Sequence, residues 1–193
     1  MNATTGTRGG RGARERILAA AAELFYADGI HATGIARLTD VAHVSTRTFY
    51  QHFPSKNALV AAYLERFDAE TPMPAEQELT RTDLAPRERL IQVFATLKTR
   101  GRRPVRGCPF HNAAVEAAGE MSEIAETVAR HKDAFRQRLA DTAAEAGIAD
   151  AELLGRRLAL LYEGATALST SRNDGQAAAD AYDLAKELIE GGR

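Results

Sequence analysis

Residues 44–56, Val-Ser-Thr-Arg-Thr-Phe-Tyr-Gln-His-Phe-Pro-Ser-Lys, constrain this chain more than any other stretch. Ser45 is a helix N-cap by type, and Phe49 and Phe53, four residues apart, share one face of the helix it opens. Pro54 stops that helix, and Ser55 caps another led by Lys56. With the two phenylalanines turned inward, Thr46, Arg47, Thr48, Gln51 and His52 fall on the other side. These side chains are able to donate to base edges or phosphates, and Tyr50 is a further phosphate-seeking group. The segment is suited to pressing a short helix against a polar, anionic surface, and DNA fits that description best.

The flanking sequence supplies the rest of a helix-turn-helix. Ile17, Leu18, Ala21, Leu24 and Phe25 recur at three- and four-residue spacing, which predicts an amphipathic helix over 13–26 that ends near Gly29. Thr33, as N-cap, and Gly34 open a second, short helix with Leu38 and Ala42 inward. A tight corner at Ala42, His43 and Val44 then leads to the helix at Ser45, the reader of the pair. From Lys56 the helical pattern runs on through Leu59, Val60, Tyr63, Leu64 and Phe67 until Pro72 and Pro74 break it. That is too long for a small head alone, so it is expected to join head to body. Later helices are predicted from near Pro86, Pro109, Ser122 and Asp150, with a last one over 177–189. No segment alternates with period two. The fold class is therefore all-α with about nine helices, arranged as a basic arm (1–12), a DNA-binding head (13–56) and a helical body (57–193).

Charge is unevenly distributed along the chain. Residues 1–56 hold seven Lys/Arg against four Asp/Glu, a balance of +3, while the remainder carries 18 basic and 22 acidic residues, a balance of −4. A basic end on an acidic body is the pattern expected when only that end meets phosphate. No apolar run approaches the length of a membrane span, and the first twelve residues hold no apolar core, so neither a membrane segment nor a secretory signal is expected. The single cysteine, Cys108, excludes an internal disulfide and fits a reducing compartment, the cytoplasm.

The last two predicted helices are apolar over a wide arc. Leu154, Leu158, Leu161, Ala165 and Leu168 form a stripe on the first, and Ala181, Leu184, Ala185, Leu188 and Ile189 another on the second. One partner does not cover so wide a surface, and the small residues Gly164, Ala165, Ala181 and Ala185 permit close approach. Pairing with a second copy would form a four-helix, two-fold interface, with Leu154, Leu161, Ala165, Leu168, Leu184 and Leu188 at the contact. Closure of a monomer core is the plainer alternative.

Between Arg14 and Leu64 the chain resembles the TetR family of bacterial transcriptional regulators. The resemblance rests on Ile17 through Gly29, Thr33, Leu38, Ala42, Val44, Ser45, Thr48, Phe49, Tyr50, Phe53, Ser55, Lys56, Leu59 and Val60. Further on, the segment from Arg106 to Glu116 resembles one seen in a single branch of that family. The resemblance implies a homodimer that binds a palindromic operator and a body cavity for a small molecule. Ser45, Thr46, Arg47, Thr48, Gln51 and His52 would face DNA, with Tyr50, Lys56 and Thr33 at phosphates. Two positions depart from the family pattern. His43 stands where glycine is usual in the turn; a positive φ there would cost about 1 kcal/mol. Arg47 stands where a small residue is common, so operator preference does not carry over from relatives.

In the body, an effector cavity would be apolar with a few polar anchors. Phe94, Cys108, Phe110, His111, Asn112 and Tyr162 are the candidates, each of which could equally be ordinary core. Cys108 precedes Pro109 at a predicted helix start and lies close in sequence to Arg102, Arg103 and Arg106, conditions that favour a thiolate. A redox or electrophile sensor acting through Cys108 is thus the alternative trigger, although a lone cysteine is often just a small buried residue. No cofactor is expected. Catalysis lacks an orienting third residue beside Cys108 and His111, and a metal lacks a second Cys or a nearby His pair. The sequence therefore predicts a repressor, not an enzyme, released from its operator by a small, partly apolar effector.

Overall fold

Apolar residues three and four apart give the helices of the computed structural model their buried faces. The structure describes residues 8–98, 108–116 and 122–191. Among them ten helices and no strand occur. In chain order these are α1 (Arg8–Asp28), α2 (Ile35–Val41), α3 (Thr46–His52), α4 (Lys56–Glu70), α5 (Pro74–Leu79), α6 (Pro86–Lys98), α7 (Pro109–Glu116), α8 (Ser122–Glu145), α9 (Ala151–Arg172) and α10 (Gln176–Gly191).

The chain divides into two units. The first comprises Met1–Phe67 with Pro109–Val128, and the second Asp68–Cys108 with Ala129–Arg193. In the first, Ile17, Leu18, Ala21 and Leu24 of α1 are buried together with Leu38 of α2, Phe49 of α3 and Leu59, Val60, Tyr63 and Leu64 of α4. Phe25 meets Tyr63 edge-on with ring centres 5.5 Å apart, and Phe67 meets Phe110 of α7 at 6.3 Å. In the second, α6 (Leu90, Val93, Phe94, Leu97), α8 (Phe135, Leu139, Ala143), α9 (Leu154, Leu158, Tyr162, Ala165) and α10 (Ala178, Ala181, Ala185, Ile189) share one core.

Local chemistry sets the helix ends. Gly29, at φ +95°, closes α1 by donating its N–H to Phe25 O at 3.2 Å. Asn173 closes α9 in the left-handed region, which Asn tolerates better than most residues. Helix α5 carries a signal that pattern counting passes over. Pro74 occupies its first turn, where the missing N–H is no loss, and the Glu76 carboxylate reaches back to accept the Met73 N–H at 3.2 Å. Helix α1 starts at Arg8, inside the segment expected to be an arm. The basic loop over 101–107, with Arg102, Arg103 and Arg106, lies outside the described residues.

Helices α8 and α9 approach closely at Gly155. A Cβ there would lie 2.7 Å from Ala140 Cβ and 2.8 Å from its backbone nitrogen. Backbone cannot yield as a flexible side chain does, so added volume forces the helices apart. Gly155→Ala is expected to destabilise the protein by about 1–3 kcal/mol in thermal or urea unfolding, and an unchanged midpoint would show that the approach is looser than described.

Candidate nucleic-acid interface

Presentation of α3 begins one helix earlier, at the corner. His43 takes φ +51°, as the turn demands, and donates its N–H to Asp40 O, while Val44 donates to Thr39 O, both at 3.0 Å. These two bonds satisfy the last carbonyls of α2, the arrangement that usually recruits glycine. Arg16 of α1 adds a tie by donating Nε–H to Ala42 O at 3.0 Å. Ser45 then caps α3 as expected: its Oγ accepts the Thr48 N–H at 3.0 Å and lies 2.8 Å from Thr48 Oγ1. The Ser45 and Thr48 hydroxyls are therefore already partnered within the head.

Phe49 is fully buried and Phe53 nearly so, which turns the opposite face of α3 outward. Thr46, Arg47, Tyr50 and Gln51 are exposed, whereas Thr48 and His52 are half-buried. Among the described residues no carboxylate pairs with Arg47, in contrast to Arg37, which holds Asp28 at 3.0 Å. Arg14 lies over the Phe53 ring at 5.4 Å. Helix α4 opens with Ser55 Oγ accepting the Ala58 N–H at 3.0 Å, and Lys56 Nζ donates to His31 O at 3.4 Å. Partial burial pushes the Lys56 ammonium below its ordinary pKa, with Glu116 pulling the other way. Glu116, at the end of α7, also accepts the His31 N–H at 2.5 Å. That carboxylate holds the turn before α2, and no sequence signal pointed to it.

Thr33 needs correction as a cap. Gly34 occupies the N-cap of α2, and Thr33 is completely buried with its hydroxyl donating to Gly29 O at 2.7 Å. The preference of Thr for caps is overruled here by an i−4 carbonyl freed at the end of α1.

The candidate body residues do not gather in one unit. Phe110, His111 and Asn112 belong to the first; Phe94, Cys108 and Tyr162 belong to the second. Tyr162 stands edge-on to Phe94 (5.9 Å) and Phe135 (5.2 Å). Cys108 is buried and accepts from Lys132 Nζ at 3.7 Å, with Met73 Sδ at 4.0 Å. An imidazole neighbour of Cys108 within its own unit is His131. Burial alone would lower the pKa of His131, but hydrogen bonds and charge from Cys108 and Asp68 outweigh it and leave the net shift upward. Lys132 also donates to Glu163 at 2.5 Å.

The stripe on α9 splits in two. Leu154, expected at an interface, is buried in the core with Leu158, because both share the inner face with Tyr162 and Ala165. Another face carries Leu160 (76% exposed) and Leu168 (52%), and Leu184 of α10 is 45% exposed. Leu160, Leu161, Gly164, Ala165, Leu168, Ala181, Leu184 and Leu188 line an open apolar trough of about 530 Å³, with Arg157, Arg172 and Asp180 at its edges.

A short, outward-facing polar helix seated on a helix-turn-helix head defines a DNA-binding transcriptional regulator. Comparison with known proteins agrees. Residues 17–63 match the bacterial regulatory proteins of the TetR family, and residues 86–183 match the LmrA/YxaF-like transcriptional regulator C-terminal domain. The chain belongs to the TetR family, whose members are regulators and not enzymes. It is similar to a TetR-type regulator of Streptomyces avermitilis, with TM-score 0.75 and 31% identity over 90% of this chain and 97% of that one. A TetR-family regulator of Streptomyces coelicolor matches with TM-score 0.80 and 28% identity over 94% and 96% of the respective chains. The transcriptional activator FasR of Mycolicibacterium smegmatis is 45% identical over 53 residues, 28% of this chain and 24% of FasR. The match thus spans about a quarter of that relative.

Arg47 gives the sharpest local test. Arg47→Ala should weaken specific DNA binding by about 1–3 kcal/mol while changing random-sequence binding much less. Fluorescence anisotropy on the two DNAs measures this, and an equal loss on both would reduce Arg47 to a phosphate contact.

Proposed function

We propose that the protein is a repressor that binds a palindromic operator as a homodimer and is released by a small, partly apolar effector. The observation that carries the DNA-binding part is the exposed polar face of α3, held outward by buried Phe49 and Phe53, with Arg47 uncommitted. Arg47 and Gln51 are the side chains suited to reading base edges. Tyr50 and Lys56 would sit on phosphates, where they add affinity and salt dependence without specificity.

The homodimer reading rests on the α9–α10 trough. Leu160, Leu168 and Leu184 are too large and too exposed for a surface left to water, and Gly164 lets another helix approach closely. A two-fold pairing there would double α9 and α10 into four helices and supply the symmetry that a palindrome mirrors. For the effector, Phe94, Cys108 and Tyr162 are the candidates in the second unit; the cavity that Cys108 and Tyr162 line is about 10 Å³ and would have to open to admit one. A cytoplasmic location follows from this role; no described helix is long and apolar enough to cross a membrane.

One observation favours a second trigger. Lys132 Nζ donates to the Cys108 sulfur at 3.7 Å and His131 is a further hydrogen-bond neighbour, polar contacts that a purely apolar cysteine would not have. Against it stand the burial of the thiol and the lack of any other cysteine in the chain.

The test uses the DNA flanking the protein's own gene. Wild type should sediment as a dimer and give a salt-sensitive gel shift on that DNA. Leu160→Glu, with its carboxylate placed at the most exposed leucine, should sediment as a monomer and lose the specific shift. A Leu160→Glu protein that stays dimeric would move the interface elsewhere, and a wild type with no shift at low salt would remove the regulatory reading.

A further inference from the structure

Three donor groups converge in the second unit without any closeness in sequence. Asp68 at the end of α4, Glu76 in α5 and His131 in α8 each offer one donor atom, and these atoms lie within 4.8 Å of one another. Glu76 and His131 are buried, at 5% and 6% exposure, so the convergence is not a solvated acidic patch.

We propose that Asp68, Glu76 and His131 form a binding site for a borderline divalent cation of the zinc type. Imidazole nitrogen with two carboxylate oxygens is a donor set that such ions accept, and three protein ligands leave one position for water. Two further observations point to an occupant. Glu76 Oε1 is shut off from solvent and accepts no hydrogen bond; its ion pair with Arg138 Nη1 at 3.1 Å offsets charge without supplying one. A buried carboxylate oxygen in that condition is costly, and a coordinated cation would relieve it. Beside it, Glu76, His131 and Cys108 help line a cavity of about 10 Å³. That is about the room one water needs, so the fourth ligand has a place.

The surroundings suit coordination. His131 Nδ1 lies 2.7 Å from Asp68 Oδ1, so an ion there would take over a position now bridged by a proton. Cys108 also hydrogen-bonds His131, an outer contact of the kind that orients metal-bound histidines. Glu76 is held by the Met73 N–H through its second oxygen. Cys108 serves as an outer partner here and not as a ligand. The DNA-binding reading does not depend on this site.

Titration of the chelator-treated full-length protein with Zn²⁺, by calorimetry and by metal analysis after dialysis, tests the proposal. One Zn²⁺ per chain and a raised melting temperature are expected. Asp68→Asn and His131→Gln should each weaken binding at least about 10-fold, and Cys108→Ser should keep the stoichiometry. Asp68 is half-exposed, so Asp68→Asn remains informative even if His131→Gln does not fold. Three results would overturn the site: no saturable uptake by wild type, undiminished uptake by Asp68→Asn through surface histidines, or loss of the ion in Cys108→Ser.

Discussion

Burial of Phe49 and Phe53 beneath α3 is the interaction on which the functional face depends. A helix of seven residues has too few internal hydrogen bonds to stand alone, so its orientation is set by what its apolar side touches. Both rings lie in the core of the first unit, and the remaining side chains have nowhere to go but outward. The corner before α3 serves the same end. His43 accepts a left-handed backbone, and Arg16 ties Ala42 O to α1, so the angle between α2 and α3 is fixed from two sides.

The second unit shows how one helix serves two masters. Leu154, Leu158, Tyr162 and Ala165 of α9 face the core, while Leu160, Gly164 and Leu168 face out. A helix apolar on both sides needs two partners, and α10 with α6 and α8 supplies only one set. The exposed set is therefore a surface awaiting something, and a second copy of the chain satisfies it with the fewest assumptions. Small residues do different work at different depths. Gly155 lets α8 and α9 meet inside the core, whereas Gly164 lines the open outer trough, where a Cβ would meet nothing within 4 Å.

Much of this was legible in the sequence, and the reasons differ by residue. Helical period and capping chemistry are local, so the existence of α1 to α4 and the Ser45 cap could be read directly, while the positive φ at His43 was suggested only by the glycine usual there in the family. Sites assembled from distant residues could not. Glu116 reaches the turn at His31 across 85 residues, and His131 meets Asp68 across 63; neither pairing leaves a mark on local spacing. Thr33 shows the opposite failure. Its type suits a cap, but burial and a free carbonyl one turn back decided its role. The single stripe expected on α9 divides instead between two faces, with Leu154 in the core and Leu168 exposed, because apolar residues at three- and four-residue spacing do not say which face meets the core.

The central claim is that the outward face of α3 enters a DNA major groove. Methylation interference at guanine N7 on a bound operator fragment tests it most directly, since that atom lies only in the major groove. The account predicts that methyl groups abolish binding in two symmetric clusters about 10 base pairs apart, or a multiple of that. Binding that tolerates major-groove methylation everywhere, while minor-groove modification blocks it, would contradict the assignment of α3 as the reading helix.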